Sequence, residues 1–102
     1  MADAVVLRSI ALSLPGTEER PHFDRAAFRV KRIYLTLAAD GLSANVKLSP
    51  EEQLLKCEVA PDIFRPVQNA WGKQGWTEVH LHAASTEDLR AVLELAHAHA
   101  VK

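Results

Sequence analysis

At 102 residues the chain has the length of one domain. With 48% hydrophobic and 25% charged residues it has the balance of an ordinary globular protein, not of a disordered or fibrous one. A net charge of −1 removes any global attraction to nucleic acid or to an anionic membrane, so binding of that kind requires a local patch.

The first residues, Met1 to Leu7, lack the basic start of a signal peptide, and Arg8 and Ser9 interrupt their apolar run, so no leader is expected. Asp3 to Leu14 predicts an amphipathic helix. Leu7, Ile10, Ala11 and Leu14 form one stripe, Asp3 favours the start through the helix dipole, and Pro15-Gly16 ends it. Residues 17–25 are polar, contain Pro21 and read as a connecting loop, with Phe23 as its anchor into the core.

Three strands follow, forming an antiparallel meander buried on one face. Residues 26–30 place Phe28 and Val30 on one side and Arg29 on the other. Residues 33–37 are β-branched and aromatic. Asp40-Gly41 is a hairpin turn signal, and residues 42–48 then alternate, with Leu42, Ala44, Val46 and Leu48 inward. Ser49-Pro50-Glu51-Glu52 marks a helix start, with Ser49 as N-cap, Pro50 at the first position and Glu52 completing a capping box. This helix should run to Cys57 or Glu58, with Leu54 and Leu55 as its apolar side.

Residues 63–71 hold a short strand that Pro66 confines to an edge or a bulge. Gly72 to Gly75 is a turn. Trp76 to His82 is the clearest strand, with Trp76, Glu78, His80 and His82 on one face. Ser85 or Thr86 then caps a last helix whose inward stripe is Leu89, Val92, Leu93, Ala96 and Ala100. Strands grouped in runs predict an α+β fold, a mostly antiparallel sheet of about five strands packed by its terminal helices.

Leu12-Ser13-Leu14-Pro15-Gly16-Thr17-Glu18-Glu19, Phe28-Arg29-Val30, Leu48-Ser49-Pro50-Glu51-Glu52 and Gly72-Lys73-Gln74-Gly75-Trp76, in that order and spacing, resemble the MmcQ/YjbR-like proteins. The resemblance covers nearly the whole chain. It implies one α-β-β-β-α-β-β-α domain similar to type III secretion chaperones, with no enzymatic activity and no cofactor. The family is described as predicted DNA-binding, with a double-wing arrangement, and has no defined catalytic residues to carry over.

From the residues themselves, the strongest candidate for a binding site is the basic cluster of Arg20, Arg25, Arg29, Lys31 and Arg32, with Lys47 near it on the meander and Lys73 in the glycine turn. An outward sheet face with these cations suits phosphates. Against this, Glu18, Glu19 and Asp24 stand ready to pair with them, and no aromatic residues interleave along the cluster to form a stacking platform. DNA is therefore one expected partner, and a protein partner or a second copy is the alternative. No stretch approaches the roughly 20 apolar residues of a membrane span, and the single cysteine, Cys57, fits a reducing cytoplasm better than a disulfide scaffold.

Trp71 to Trp76 has two readings, a ligand loop around Lys73 or a structural turn closing the core, and the structural one is the stronger. His80 and His82 have chelating spacing on a strand, with His22 or Cys57 as third ligands, but the set matches no metal-site pattern and reads better as surface histidines. Cys57 reads as a packing residue, with no positioned base to activate it.

Overall fold

The computed structural model describes residues Met1–Lys102. Helix α1 (Ala4–Ser13) starts at Asp3, whose carboxylate accepts from the Val6 N–H, and buries Leu7, Ile10 and Ala11 as the spacing requires. Strands β1 (Glu18–His22), β2 (Arg25–Arg29), β3 (Ile33–Leu37) and β4 (Ser43–Lys47) run as a continuous meander. Helix α2 (Pro50–Val59) begins with the predicted capping box and leads to the short β5 (Phe64–Pro66). The single-turn α3 (Ala70–Lys73), β6 (Trp76–His80), a 3₁₀ turn (Leu81–Ala83) and α4 (Thr86–Ala100) complete the chain. In α4, Ser85 is the cap and Asp88 completes a second capping box.

All six strands form one antiparallel sheet in the order β1-β2-β3-β4-β6-β5. The core lies between one face of this sheet and the helices. Phe28, Leu35, Leu37, Ala44, Val46 and Val79 meet Leu89, Val92, Leu93 and Ala96 of α4 and the stripe of α1. Truncating any of the large members to alanine should cost about 2–5 kcal/mol. The fold is thus the expected α+β arrangement, with one strand more than the sequence indicated.

That strand is β1. Residues 18–22 pair residue by residue with β2, and the predicted loop shrinks to Phe23 and Asp24. All five residues of β1 are exposed, so no apolar alternation announced it. Phe23 does not anchor the core. It is 95% exposed at the hairpin tip with φ of +60°, a left-handed backbone that a bulky residue adopts under strain.

Three further expectations change. Leu42 points to solvent because the turn runs one residue longer than Asp40-Gly41: the Leu42 N–H is held by the Asp40 carboxylate at 2.9 Å. Helix α2 buries no residue, and Leu54 and Leu55 are each 61% exposed. The last strand ends at His80, so His82 sits on the 3₁₀ turn and the two histidines share no strand face.

A bulge between β2 and β3 shapes both faces of the sheet. Phe28 pairs with Leu35 but Arg29 with Ile33, which leaves Tyr34 as the extra residue. Tyr34 and Leu35 are both fully buried, whereas Ile33 turns to the other face beside Arg29. The Tyr34 hydroxyl meets Thr17 Oγ1 at 2.9 Å, and its ring stands edge-on to His97 with centroids 5.6 Å apart. Burial raises the Tyr34 pKa, and the Thr17 hydrogen bond offsets part of that rise.

Candidate nucleic-acid interface

The sheet face opposite the helices is open. Its strand positions follow from the register: Arg20, Ala27, Thr36, Asn45, Glu78 and Arg65 lie in one cross-strand row over all six strands. At a strand spacing of about 4.8 Å, the guanidinium-bearing ends of that row sit roughly 24 Å apart. A neighbouring row brings Lys47 opposite Trp76.

The predicted basic residues divide into groups. Arg25 and Arg29 belong to the open face. Arg25 is held flat by Thr36, donating from Nε to Oγ1 at 2.9 Å and from Nη2 to the carbonyl at 3.3 Å. Arg29, at the end of β2, is exposed and opposite Glu18. Lys47 faces the same way but its Nζ donates to the Gln74 carbonyl at 2.7 Å, tying β4 to the glycine turn. Lys73 ends α3 and is exposed. Lys31 and Arg32 lie in the turn after β2, and Arg32 donates to the Lys102 carbonyl at 3.1 Å. On its strands the open face therefore gathers Arg20, Arg25, Arg29 and Lys47, with Lys73 at its margin, while Lys31 and Arg32 lie in the turn beyond β2 and Arg32 is bonded to Lys102.

Acidic pairing is narrower than the sequence implied. Glu18 pairs with Arg20 at 2.9 Å, and Glu19 with Arg8 of α1 at 3.2 Å. The hydrogen bond from Arg20 holds the Glu18 carboxyl below its usual range, and the charge of Arg29 adds to the effect.

The sequence shows no run of interleaved aromatics, but the fold brings its two tryptophans to one groove. Trp76, on β6, faces the open side, and Trp71, on α3, lines the same groove. Together with Ile33 they line a groove of about 320 Å³ whose remaining walls are His22, Arg25, Thr36 and Asn45. The groove draws Trp71 from α3, Trp76 from β6 and Arg25 from β2, which is why the order of residues along the chain concealed it. Arg65 was likewise missed: three residues of β5 carry no alternation, and only their pairing with β6 puts Arg65 on this face.

The turn that carries Trp71 and Trp76 is a backbone clamp. Gly75 has φ of +106°, and a Cβ there would run into the Leu48 carbonyl; a Cβ on Gly72 would run into that of Val67. Gln53 of α2 donates to the carbonyls of Gly72 and Trp76, both at 2.9 Å. Asn69 caps α3 by accepting from the Trp71 N–H.

The largest cavity, about 700 Å³, lies between α1, the β1–β2 tip and the β3–β4 turn. It mixes Arg8, Arg20 and Arg25 with Glu19, Asp24 and Asp40, so its charges largely neutralise one another. His80 Nε2 makes no hydrogen bond and lies 3.4 Å from Glu78 Oε1. His97 meets the Pro15 carbonyl and His99 meets Glu52, each at 2.8 Å, so each ring has a separate structural bond. No three His, Cys, Asp or Glu side chains converge to hold a metal. Cys57 is half-buried against the core, and burial pushes its thiol pKa up. No helix is long and apolar enough to cross a membrane.

Comparison with known proteins agrees with this fold. The crystal structure of Deinococcus radiodurans protein DR2400, described as a DUF419 domain, superposes with a TM-score of 0.77 at 25% identity, over 91% of this chain and 74% of that one. No curated protein matches the sequence. The YjbR family model matches residues 12–99, and with nearly the whole chain so covered, the protein is a member of the YjbR family.

Proposed function

We propose that the protein is a non-enzymatic nucleic-acid-binding protein that meets DNA with the open face of its sheet. One observation carries this reading. On a molecule of net charge −1, the strand positions of that face hold Arg20, Arg25, Arg29, Lys47 and Arg65 against the carboxylates of Glu18 and Glu78 alone. Cations that track across a sheet neutralise successive phosphates and release counterions. The single half-buried cysteine suits work in a reducing cytoplasm.

The test is fluorescence anisotropy with labelled DNA over a salt series. Binding should weaken linearly in log–log form as salt rises. Absence of binding at low salt would overturn the proposal, and so would a salt slope that is the same after Arg29→Ala with Arg65→Ala.

A second reading, a protein-interaction module, has an observation of its own. Helix α2 presents Leu54, Leu55 and Val59 as one exposed stripe. Light scattering decides whether this stripe pairs two copies. A dimer that Leu54→Lys converts to monomer would favour it, and a monomer at all concentrations would count against self-association.

A further inference from the structure

We propose that the groove between Trp71 and Trp76 receives one unpaired base, so that the ligand of this face is a single strand and not a duplex. The inference rests on the nucleic-acid reading above and makes it specific.

The groove pairs apolar rings with polar side chains at a size, about 320 Å³, at the lower end of small-ligand sites. Trp71 and Trp76 offer flat apolar surface to the face of a base, and Ile33 adds an aliphatic contact. His22 and the half-buried Asn45 bring hydrogen-bonding groups to the same space, where a base edge would lie. Arg25 enters it already oriented by Thr36, with further guanidinium N–H groups left to donate.

In a duplex both faces of each base are stacked and its pairing edge is occupied. A ring in this groove could engage such a base only by extracting it, at the cost of its stacking and pairing. An unpaired base enters without that cost. The flanking backbone then has cations on either side, toward Arg29 and Lys47 and on to Arg65 at the far edge.

The exposure of Trp71 fits this role. The ring lines the groove yet is 57% exposed, and α3 is fixed by Asn69 and Gln53 and not by burial of the indole. Its removal should leave the fold standing.

The two tryptophans of the chain both line the groove, so intrinsic fluorescence reports its occupancy directly. The probes are a twelve-nucleotide oligothymidylate, the oligouridylate of equal length and the oligothymidylate annealed to its complement. Expected are quenching by the single strands and an affinity for them about tenfold above that for the duplex; Trp71→Ala should lower single-strand affinity about tenfold while leaving duplex affinity and the urea midpoint unchanged. Trp71→Phe should retain most of the single-strand affinity, which separates loss of stacking from loss of fold. Preference for the oligouridylate over the oligothymidylate would support the groove and assign it to RNA. Equal binding of single strands and duplex, or tryptophan fluorescence left unchanged by single strands that do bind, would overturn this inference while the nucleic-acid reading stands. Failure of all three probes to bind at low salt would overturn both.

Discussion

The guanidinium of Arg25 lies along Thr36, with Nε 2.9 Å from the hydroxyl oxygen and Nη2 3.3 Å from the carbonyl. Arg25 thereby helps to cover Thr36, which is only 7% exposed although it lies on the sheet face opposite the core. The pairing also fixes an arginine where a flexible side chain would otherwise lose rotamer freedom on binding. Arg25→Ala should cost about 1 kcal/mol of stability, read from urea denaturation. Arg25→Lys should restore the charge but not the two-pronged contact, and so recover less than half of that loss.

Arg29 and Arg65 stand at separate places on the open face, exposed and without a hydrogen bond to the protein's own groups. Each is a candidate for one phosphate. Replacing both by alanine should lower the slope of log affinity against log salt by about 1.4 if the ligand is single-stranded, at roughly 0.7 per contact. Anisotropy at four or more salt concentrations measures it, and an unchanged slope would show that neither touches phosphate.

Gly75 is the fixed point of the Trp71–Trp76 turn. Its φ of +106° and the Leu48 carbonyl beside it leave no space for a side chain. Gly75→Ala should destabilise the protein by at least about 3 kcal/mol. A change under 1 kcal/mol in the urea-derived stability would mean that the turn yields more easily than its packing indicates.

Glu52 links the start of α2 to the end of α4 through His99. Burial alone would push its carboxyl up, but the Ser49 backbone N–H and the His99 ring hold it below its ordinary value of 4.5. A folded pKa below the unfolded one contributes stability that is present above the unfolded value and is lost as pH falls through the folded value. Glu52→Ala should therefore cost about 1 kcal/mol near pH 7, and the difference from wild type should shrink as the pH is taken below 4.5. A deficit that stays constant down to pH 3 would remove His99 and the charge from the explanation.

Phe23 holds a left-handed backbone with no compensating burial. Phe23→Gly should leave stability unchanged or raise it by up to about 1 kcal/mol. A loss above 1 kcal/mol would show that the edge contact of the ring with His22, 4.9 Å between centroids, matters more than the strain.

Much of this was legible in the sequence because local chemistry and burial agree there. Ser49, Pro50 and Glu52 specify a helix start whatever surrounds them, and the stripe from Leu89 to Ala100 permits one packing. Strand β1 was not legible, since Glu18-Glu19-Arg20-Pro21-His22 becomes a strand only through its ladder with β2. The candidate site was half legible. Arg29 and Lys47 followed from alternation within their strands. The meeting of Trp76 with Lys47, and of Arg65 with Glu78, depends on β6 inserting between β4 and β5, a pairing order that no local pattern encodes.

Both outer strands of the sheet contain a proline, Pro21 in β1 and Pro66 in β5. A proline has no N–H to offer an incoming strand, β1 adds four charged or titratable neighbours, and β5 is only three residues long. The sheet is thereby closed to extension at either end. Neither a second copy nor an extended peptide gains a continuous ladder by lining up along an edge. Strand addition is thereby disfavoured, and side-chain surfaces remain as the way to meet a partner.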